Sequence, residues 1–176
     1  MSIRDLPDDC WVAVFKWVDQ DRDFEPLSLV SKRFLSITNH LRSSLVICDK
    51  TLLPRLLARF PNLSSLNLTR FPRRGDAHAL LSHISHSHLP LLTCLNLSGR
   101  TKLPLHDGVR KIETLKSLIC SCIGPYKDTD FVHIVRCFPM LQELDITYPV
   151  PVGGVSDDAI KSLALGLPKL NKERRP

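Results

Sequence analysis

Glycine and aromatic residues are scarce in this chain, and no long hydrophobic run is present. Only 7 of the 176 residues are glycine and 6% are aromatic, whereas 13 are proline. No apolar stretch approaches the ~18 residues that a membrane-spanning helix needs. The first residues, MSIRDLPDD, lack the basic and apolar regions of a secretory signal. We therefore expect short elements, no membrane partner, and a cytoplasmic or nuclear location.

Concentrated positive charge is also missing. The 24 Lys and Arg residues exceed the 18 Asp and Glu residues by 6, but they are dispersed, and the densest cluster is the terminal NKERRP. Such a run is usually solvated, and no basic patch interleaved with aromatic residues accompanies it, so we do not expect nucleic acid binding. The six cysteines are irregularly spaced among mostly apolar neighbours, which predicts free thiols in a reducing compartment.

An unusually apolar segment, CWVAVFKWV, lies near the start of the chain. Pro7 suits the first position of a helix, and Asp8 and Asp9 then lie in its first turn, at the positive end of the helix dipole. The apolar residues that follow predict a helix with a wide apolar stripe. Its main members are Trp11, Val14, Phe15 and Val18, extended by Cys10 and Trp17.

A second amphipathic helix is predicted after the polar turn DQDRD, beginning at Pro26. Apolar residues recur along it every three or four positions, at Leu27, Val30, Phe34, Ile37 and Leu41. Two helices of this kind carry more apolar surface than a unit of about 40 residues can bury by itself. We therefore expect the rest of the chain to cover one side of this unit and another protein to cover the other.

A second pattern, L-x-x-L-x-L, recurs after residue 60. Its first leucines are Leu63, Leu92, Leu115 and Leu141, separated by 29, 23 and 26 residues. Helical stretches are predicted between these strands, including DAHALLSHISHSHL, GVRKIETL and DFVHIVRCF. Units of a strand and a helix stack into an arc, with parallel strands on its concave side and helices on its convex side. The preceding LVICDKTLLPRLLARF is predicted to be a strand and then a helix that joins the two parts.

The two patterns together resemble a known family. LPDDCWVAVFKWV followed by LSLVSKRF resembles an F-box at residues 3–44, with Trp11 and Phe34 in place of the commoner Leu and Trp. With the repeats, the chain resembles the plant F-box/leucine-rich repeat proteins, which include the auxin and jasmonate receptors. The resemblance implies an α/β chain with an F-box at 1–44, a linking cap segment at 45–62 and a leucine-rich repeat solenoid at 63–176.

The resemblance also implies a function. The chain would be the non-catalytic substrate-recognition subunit of an SCF-type cullin-RING ubiquitin ligase. Its F-box would dock the Skp-type adaptor, and through it cullin, while the repeats recruit an unknown protein target for ubiquitination and proteasomal degradation. The hormone pocket of the receptors is not carried over, because it needs a nearly closed arc of many more repeats. The implied adaptor-binding residues are Leu6, Pro7, Val14, Phe15, Leu27, Val30, Lys32 and Phe34.

The residues that alternate with the motif leucines should point to the concave face of the arc. They are small and polar, and they turn acidic in the last repeat. This pattern indicates a binding face without identifying what binds. The candidate target-binding residues are Asn67, Thr69, Asn96, Ser98, Ile119, Ser121, Glu143 and Asp145.

The end of the chain departs from the repeat pattern. The helix predicted in SDDAIKSLALGL should be followed by a strand from Leu170, but Glu173 and Arg175 stand where leucines are expected, and a repeat core cannot bury unpaired charges. We therefore expect an incomplete fifth repeat, an unpaired strand edge at 142–147 and disorder at 171–176. An alternative function follows: a truncated scaffold or decoy that binds the adaptor or other proteins without delivering a substrate.

No pattern of catalytic or metal-binding residues stands out. His83 and His86, three residues apart on a predicted helix, have no cysteine or carboxylate nearby in sequence to complete a metal site. Cys120, in the C-x-C pair with Cys122, occupies a motif-leucine position, where a buried thiol acts as a small hydrophobic group. We therefore expect no cofactor, no metal and no enzymatic activity of this chain alone.

Overall fold

The computed structural model describes residues 6–72, 76–147 and 155–174. Within these ranges the chain forms seven helices and six short strands, and after residue 43 most strands alternate with helices. In chain order the elements are α1 (Asp8–Phe15), α2 (Gln20–Val30), α3 (Lys32–Leu41), β1 (Ser44–Val46), α4 (Leu53–Arg59), β2 (Ser65–Asn67), α5 (Ala77–His86), β3 (Cys94–Asn96), β4 (Ser117–Ile119), α6 (Asp128–Cys137), β5 (Glu143–Asp145), α7 (Asp157–Gly166) and β6 (Lys172–Arg174).

The first three helices form a unit with its own core, which we call the helical module (residues 6–42). Phe15, Phe24 and Ile37 are buried at its centre. The ring of Phe34 lies 4.7 Å from the ring of Trp11 and 4.9 Å from that of Phe15, measured between centroids. Tilted and edge-to-face pairs of this kind add stability beyond the area they bury. The core of the module is therefore mainly aromatic.

The predicted second helix is wrong in its boundaries. The structure has α2 starting at Gln20, with Pro26 inside it, and a separate α3 starting after Ser31. Two polar side chains explain the difference, because each accepts a hydrogen bond from an amide in a first helical turn. Asp19 Oδ1 accepts from the Arg22 amide at 3.2 Å, and Ser31 Oγ accepts from the Phe34 amide at 3.1 Å.

The six strands form one parallel sheet in which each strand pairs with the next along the chain, from β1 to β6. The predicted α/β class with parallel strands is therefore confirmed. The register aligns the middle motif leucines of neighbouring strands, Leu45, Leu66, Leu95, Leu118 and Leu144, in one row. Four of the five are almost completely buried, and Leu45 is partly buried. As predicted, the motif leucines form the core.

Helices α4 to α7 cover the leucine side of the sheet. Leu53 of α4, Leu80 of α5, Ile134 of α6 and Leu163 of α7 belong to the same continuous core as the strand leucines. Between β3 and β4 the described chain has no helix, so the helix predicted in GVRKIETL is wrong. That segment forms turns instead, because its backbone amides do not donate regularly to the carbonyl four residues earlier. The Ile112 amide, for example, donates to the Cys137 carbonyl at 2.8 Å.

The end of the sheet differs from the sequence prediction. β6 pairs in parallel with β5, and the Asn171 amide donates to the Gln142 carbonyl at 3.0 Å. The expectations of a missing fifth strand, an unpaired edge at 142–147 and disorder at 171–174 are therefore wrong. Strand pairing uses backbone groups, so charged residues are compatible with a strand at a sheet edge. Residues 175 and 176 lie outside the described residues.

The helical module is attached to the sheet through the start of β1. The Arg42 guanidinium lies 5.5 Å from the ring centroid of Phe24 in the module and 5.6 Å from that of Phe60 after α4. Gln20 Oε1 accepts hydrogen bonds from the amide and the hydroxyl of Ser43, both at 3.0 Å. As predicted, the linking segment is a strand followed by a helix. Among the described helices, none has the length and apolarity needed to cross a membrane.

Candidate functional site

The helical module leaves large apolar side chains in solvent although it has a packed core. Trp17 is 91% exposed, Leu29 81%, Val30 66% and Val14 52%. Burying an aliphatic or aromatic side chain of this size is worth roughly 1.5–3 kcal/mol. These four residues, which we call the exposed apolar group, come from the first two helices and the turn after α1. Their exposure indicates a surface that another molecule can cover.

The residues expected to contact an adaptor divide into two sets. Phe15 is only 2% exposed, and Leu27 and Phe34 are partly buried against the same core. These three side chains hold the module together, and Phe15 offers no surface to a partner in this conformation. Pro7, Val14, Val30 and Lys32 are exposed, and Leu6 is partly exposed.

The start of α1 is held against the start of α3. The Arg33 guanidinium donates to the Leu6 carbonyl and forms an ion pair with Asp8 at 2.5 Å. Arg33 follows Val30 and Lys32 closely in sequence, so Leu6 lies at the same end of the module as these two residues. The structure therefore brings the Leu-Pro start and the end of α2 to one end of the module.

Sequence reasoning left out two members of the exposed apolar group when naming contact residues. Trp17 was expected only to widen the stripe of the first helix, and Leu29 lies off the stripe of the second. α1 ends at Phe15, so Trp17 lies in the following turn. Leu29 is exposed because α2 turns the Phe24 side towards the core. The signal in the sequence was the excess of apolar residues on both segments.

The strand residues that alternate with the leucines lie on the opposite side of the sheet, which we call the strand face. The register places Asn67, Asn96, Ile119 and Asp145 in one row across four strands. A second row contains Ser65, Cys94, Ser117 and Glu143. In the following row, Ser98 Oγ and Ser121 Oγ are 2.9 Å apart. All eight predicted target-binding residues therefore lie on or directly beyond this face.

Several of these polar side chains are bonded to their own strand ends. Asn67 Oδ1 accepts from the Thr69 amide and hydroxyl at 2.9 and 2.7 Å. Asn96 Oδ1 accepts from the Ser98 amide at 2.9 Å, and the carboxylate of Asp145 accepts from Thr147 in the same way. In these Asx turns the side-chain oxygens already accept hydrogen bonds from their own chain, so they accept fewer bonds from a ligand. Ile119, at the same register position, is the apolar member of the row.

The two carboxylates at the acidic end of the strand face already accept hydrogen bonds from the protein. Glu143 accepts from Ser117 Oγ at 3.4 Å on the neighbouring strand, and Asp145 accepts from the amide and the hydroxyl of Thr147. A preference of this face for basic partners therefore does not follow from Glu143 and Asp145 alone.

The cysteines and histidines do not assemble into a reactive centre within the described ranges. All six cysteines are free thiols. Burial raises the pKa of the Cys120 thiol far above its usual range, and it also raises the pKa of Cys137; a thiol that stays protonated is a poor nucleophile. Among the described residues no group of three or more His, Cys, Asp or Glu side chains is placed to hold a metal ion.

Of the predicted histidine cluster, His83 and His86 do not form a pair with each other. His86 Nδ1 lies 2.7 Å from the Ser82 carbonyl, one turn earlier in its own helix. His78 instead contacts His106, which lies between β3 and β4, with 5.3 Å between ring centroids.

No protein-family model matches the chain, and no curated protein matches it. The candidate site is thus defined by the exposed apolar group and the strand face.

Proposed function

We propose that the protein is a non-catalytic recruitment subunit of an SCF-type cullin-RING ubiquitin ligase. The helical module serves as an F-box that docks a Skp-type adaptor, and the sheet with its helices serves as a short leucine-rich repeat arc that holds a protein target. The observation that carries the proposal is the exposed apolar group on a module that already has its own core. Transfer of ubiquitin then depends on proximity, with the chemistry performed by other subunits.

The packing of the module supports this proposal, because different side chains form its core and its exposed surface. The aromatic core of Phe15, Phe34 and Trp11 keeps the helices in place without a partner. The exposed apolar group is then available for a protein surface of complementary shape. Interfaces of this kind depend on a few buried anchors, whose truncation commonly costs about 2 kcal/mol or more of binding free energy. Leu29 and Trp17 are the anchors that we assign.

The test compares two leucines of similar exposure, Leu29 at 81% and Leu165 at 85%. Leu29→Ser changes the module, and Leu165→Ser changes α7, where the leucine is 85% exposed. Neither side chain contributes to a core, so both variants should fold. We expect Leu29→Ser to weaken binding to a purified Skp-type adaptor at least tenfold in calorimetry, with Leu165→Ser unchanged. Equal affinities of the wild type and both variants for the adaptor would contradict the proposal.

A second candidate function is a scaffold or decoy that binds the adaptor but delivers no target. The Asx turns of the strand face favour this candidate. Asn67, Asn96 and Asp145 already bond to their own chain, which leaves less capacity for a target. Affinity purification with and without a proteasome inhibitor separates the two functions. A receptor should co-purify proteins whose recovery rises with the inhibitor for the wild type but not for Leu29→Ser. A decoy should co-purify the adaptor without any such protein.

A further inference from the structure

A cleft of about 250 Å³ lies where the helical module meets the sheet. Its apolar walls come from both parts of the chain. Phe24 of α2 lines it on the module side, and Leu45 of β1, Leu56 of α4 and Phe60 line it on the sheet side. Of the described residues that line the cleft, none belongs to the exposed apolar group. The cleft is therefore a separate candidate site, with walls against which a small apolar body can pack.

Arg59, the last residue of α4, is held in a defined position at this cleft. Its Nε donates to Asn39 Oδ1 of α3 at 3.0 Å, and its Cζ lies 5.1 Å from the centroid of the Phe60 ring. A guanidinium also carries N–H donors on its two terminal nitrogens, in the same plane as Nε. Among the described residues, these terminal nitrogens of Arg59 have no protein acceptor. Arg59 therefore presents a planar fork of donors whose orientation is already fixed.

Asn39 adds a further donor to the cleft. Because its Oδ1 accepts from Arg59, its Nδ2 is left as a donor, and Nδ2 has no protein acceptor in the part of the chain that the structure describes. The hydroxyls of the lining are already bonded within their own helices. Ser28 Oγ donates to the Glu25 carbonyl at 2.7 Å, and Thr38 Oγ1 donates to a carbonyl one turn earlier at 2.9 Å. The hydrogen-bonding groups that Arg59 and Asn39 offer here are therefore donors.

The charged residues that line the cleft are two arginines and one glutamate. Arg42 Cζ lies 5.6 Å from the centroid of Phe60, so its guanidinium lies beside the same ring as that of Arg59. Arg42 donates to the Gln20 carbonyl at 2.9 Å and contributes its positive charge to the cleft. Glu25 forms no ion pair with either arginine among the described residues. Two positive charges against one negative charge favour an anion in the cleft.

We propose that this cleft binds a small organic acid, with its carboxylate on Arg59 and Asn39 and its carbon body against the apolar walls. The planar fork of a guanidinium matches the two oxygens of a carboxylate. Inorganic phosphate would use the same donors but would leave the apolar walls uncovered. Largely apolar walls with a few convergent polar groups are the usual form of a site for a small molecule.

Titration of the full 15N-labelled chain with benzoate, followed by nuclear magnetic resonance, tests the proposal. Benzoate carries a carboxylate on a compact apolar ring, benzamide is its neutral counterpart, and acetate lacks the ring. We expect benzoate to shift the Arg59 Nε–H and Asn39 Nδ2–H signals saturably, with a dissociation constant on the order of 1 mM for so small a ligand. Benzamide, acetate and inorganic phosphate should each bind at least tenfold more weakly, because each lacks one of the two features that the cleft recognises.

Three variants complete the test. Arg59→Gln removes the donor fork and should weaken benzoate binding at least tenfold. Arg55→Gln, one turn earlier on α4, changes an exposed arginine that does not line the cleft, and it should bind as the wild type does. Glu25→Gln removes the carboxylate of the lining and should bind benzoate more tightly. The proposal is overturned if the wild type does not bind benzoate, or if Arg59→Gln binds it equally well. It is also overturned if benzamide, acetate or phosphate binds as tightly as benzoate.

Discussion

At the scale of single residues, Arg100 shows how the turns after neighbouring strands are joined. The guanidinium is buried, and its Nη2 donates to the carbonyls of Leu68 and Phe71 in the preceding turn. It lies 5.1 Å from the ring centroid of Phe71. Burial lowers the pKa of Arg100, and the bonds to two carbonyls together with the aromatic ring offset part of that desolvation cost.

We predict that Arg100→Ala destabilises the chain by about 1–3 kcal/mol, because the buried Phe71 carbonyl loses its donor and the Leu68 carbonyl keeps only the Phe71 amide. Urea unfolding followed by circular dichroism measures this effect. Lys102→Ala, which alters an exposed cation two residues further on, is the matched control and should change the unfolding free energy very little. If both variants unfold at the same urea concentration, Arg100 does not stabilise the turns as the geometry indicates.

At the scale of elements, the adjacent starts of α6 and α7 are linked by one carboxylate. Asp128 in the first turn of α6 accepts from the amide and the hydroxyl of Ser156, which caps α7, at 2.9 and 2.8 Å. These hydrogen bonds, with the backbone bond contributing most, lower the pKa of Asp128. Deprotonated Asp128 therefore connects the two helices, and protonated Asp128 does so less well.

The expected pH dependence has a definite sign. Because the pKa is lowered on folding, the link stabilises α7 fully above the range near 4 in which a free Asp titrates. It is lost as the pH falls through the lower pKa of the folded state. We predict that the Ser156 amide loses exchange protection below pH 4 in the wild type. At pH 7, Asp128→Ala should already lack this protection, whereas Asp157→Ala, an exposed first-turn control, should retain it.

The elements also show what could be predicted from the sequence. The parallel strands were predicted from the recurrence of motif leucines such as Leu66 and Leu95 along the chain. Within each motif, the alternation of leucines with other residues determines which side of the strand is buried. The boundary between α2 and α3 did not follow, because the cap formed by Ser31 outweighs a continuous apolar pattern. β6 was missed because the prediction considered buried side chains, whereas backbone pairing with β5 makes the strand.

The candidate site was predictable to a similar extent. The strand face could be identified from alternation alone, but the internal bonding of Asn67 and Asn96 could not be read from that alternation. The signal for it was the recurring spacing Asn-x-Thr and Asn-x-Ser at these positions, which is the spacing of an Asx turn. In the helical module, the excess of apolar residues was evident, but only the packing separates Phe15 inside from Leu29 outside.

At the scale of the whole molecule, the residues that the structure describes form two cores that do not merge. The core of the helical module has three buried residues at its centre, Phe15, Phe24 and Ile37, whereas the core of the sheet is continuous from Ile47 to Leu167. Arg42 stacks between the two parts. A small core with an exposed apolar group has less stability to lose before it opens, so the module should be the less stable part.

The two tryptophans of the chain, Trp11 and Trp17, both belong to the module. Tryptophan fluorescence therefore reports on the module, while far-ultraviolet circular dichroism reports on the whole chain. We predict that the fluorescence transition in urea precedes the main dichroism transition. Under the proposed function, a Skp-type adaptor at 100 times its dissociation constant stabilises the module by about 2.7 kcal/mol, which shifts only the fluorescence transition. Leu29→Ser should remove that shift. Coincident transitions that both respond to the adaptor would mean that Arg42 couples the two cores into one cooperative unit.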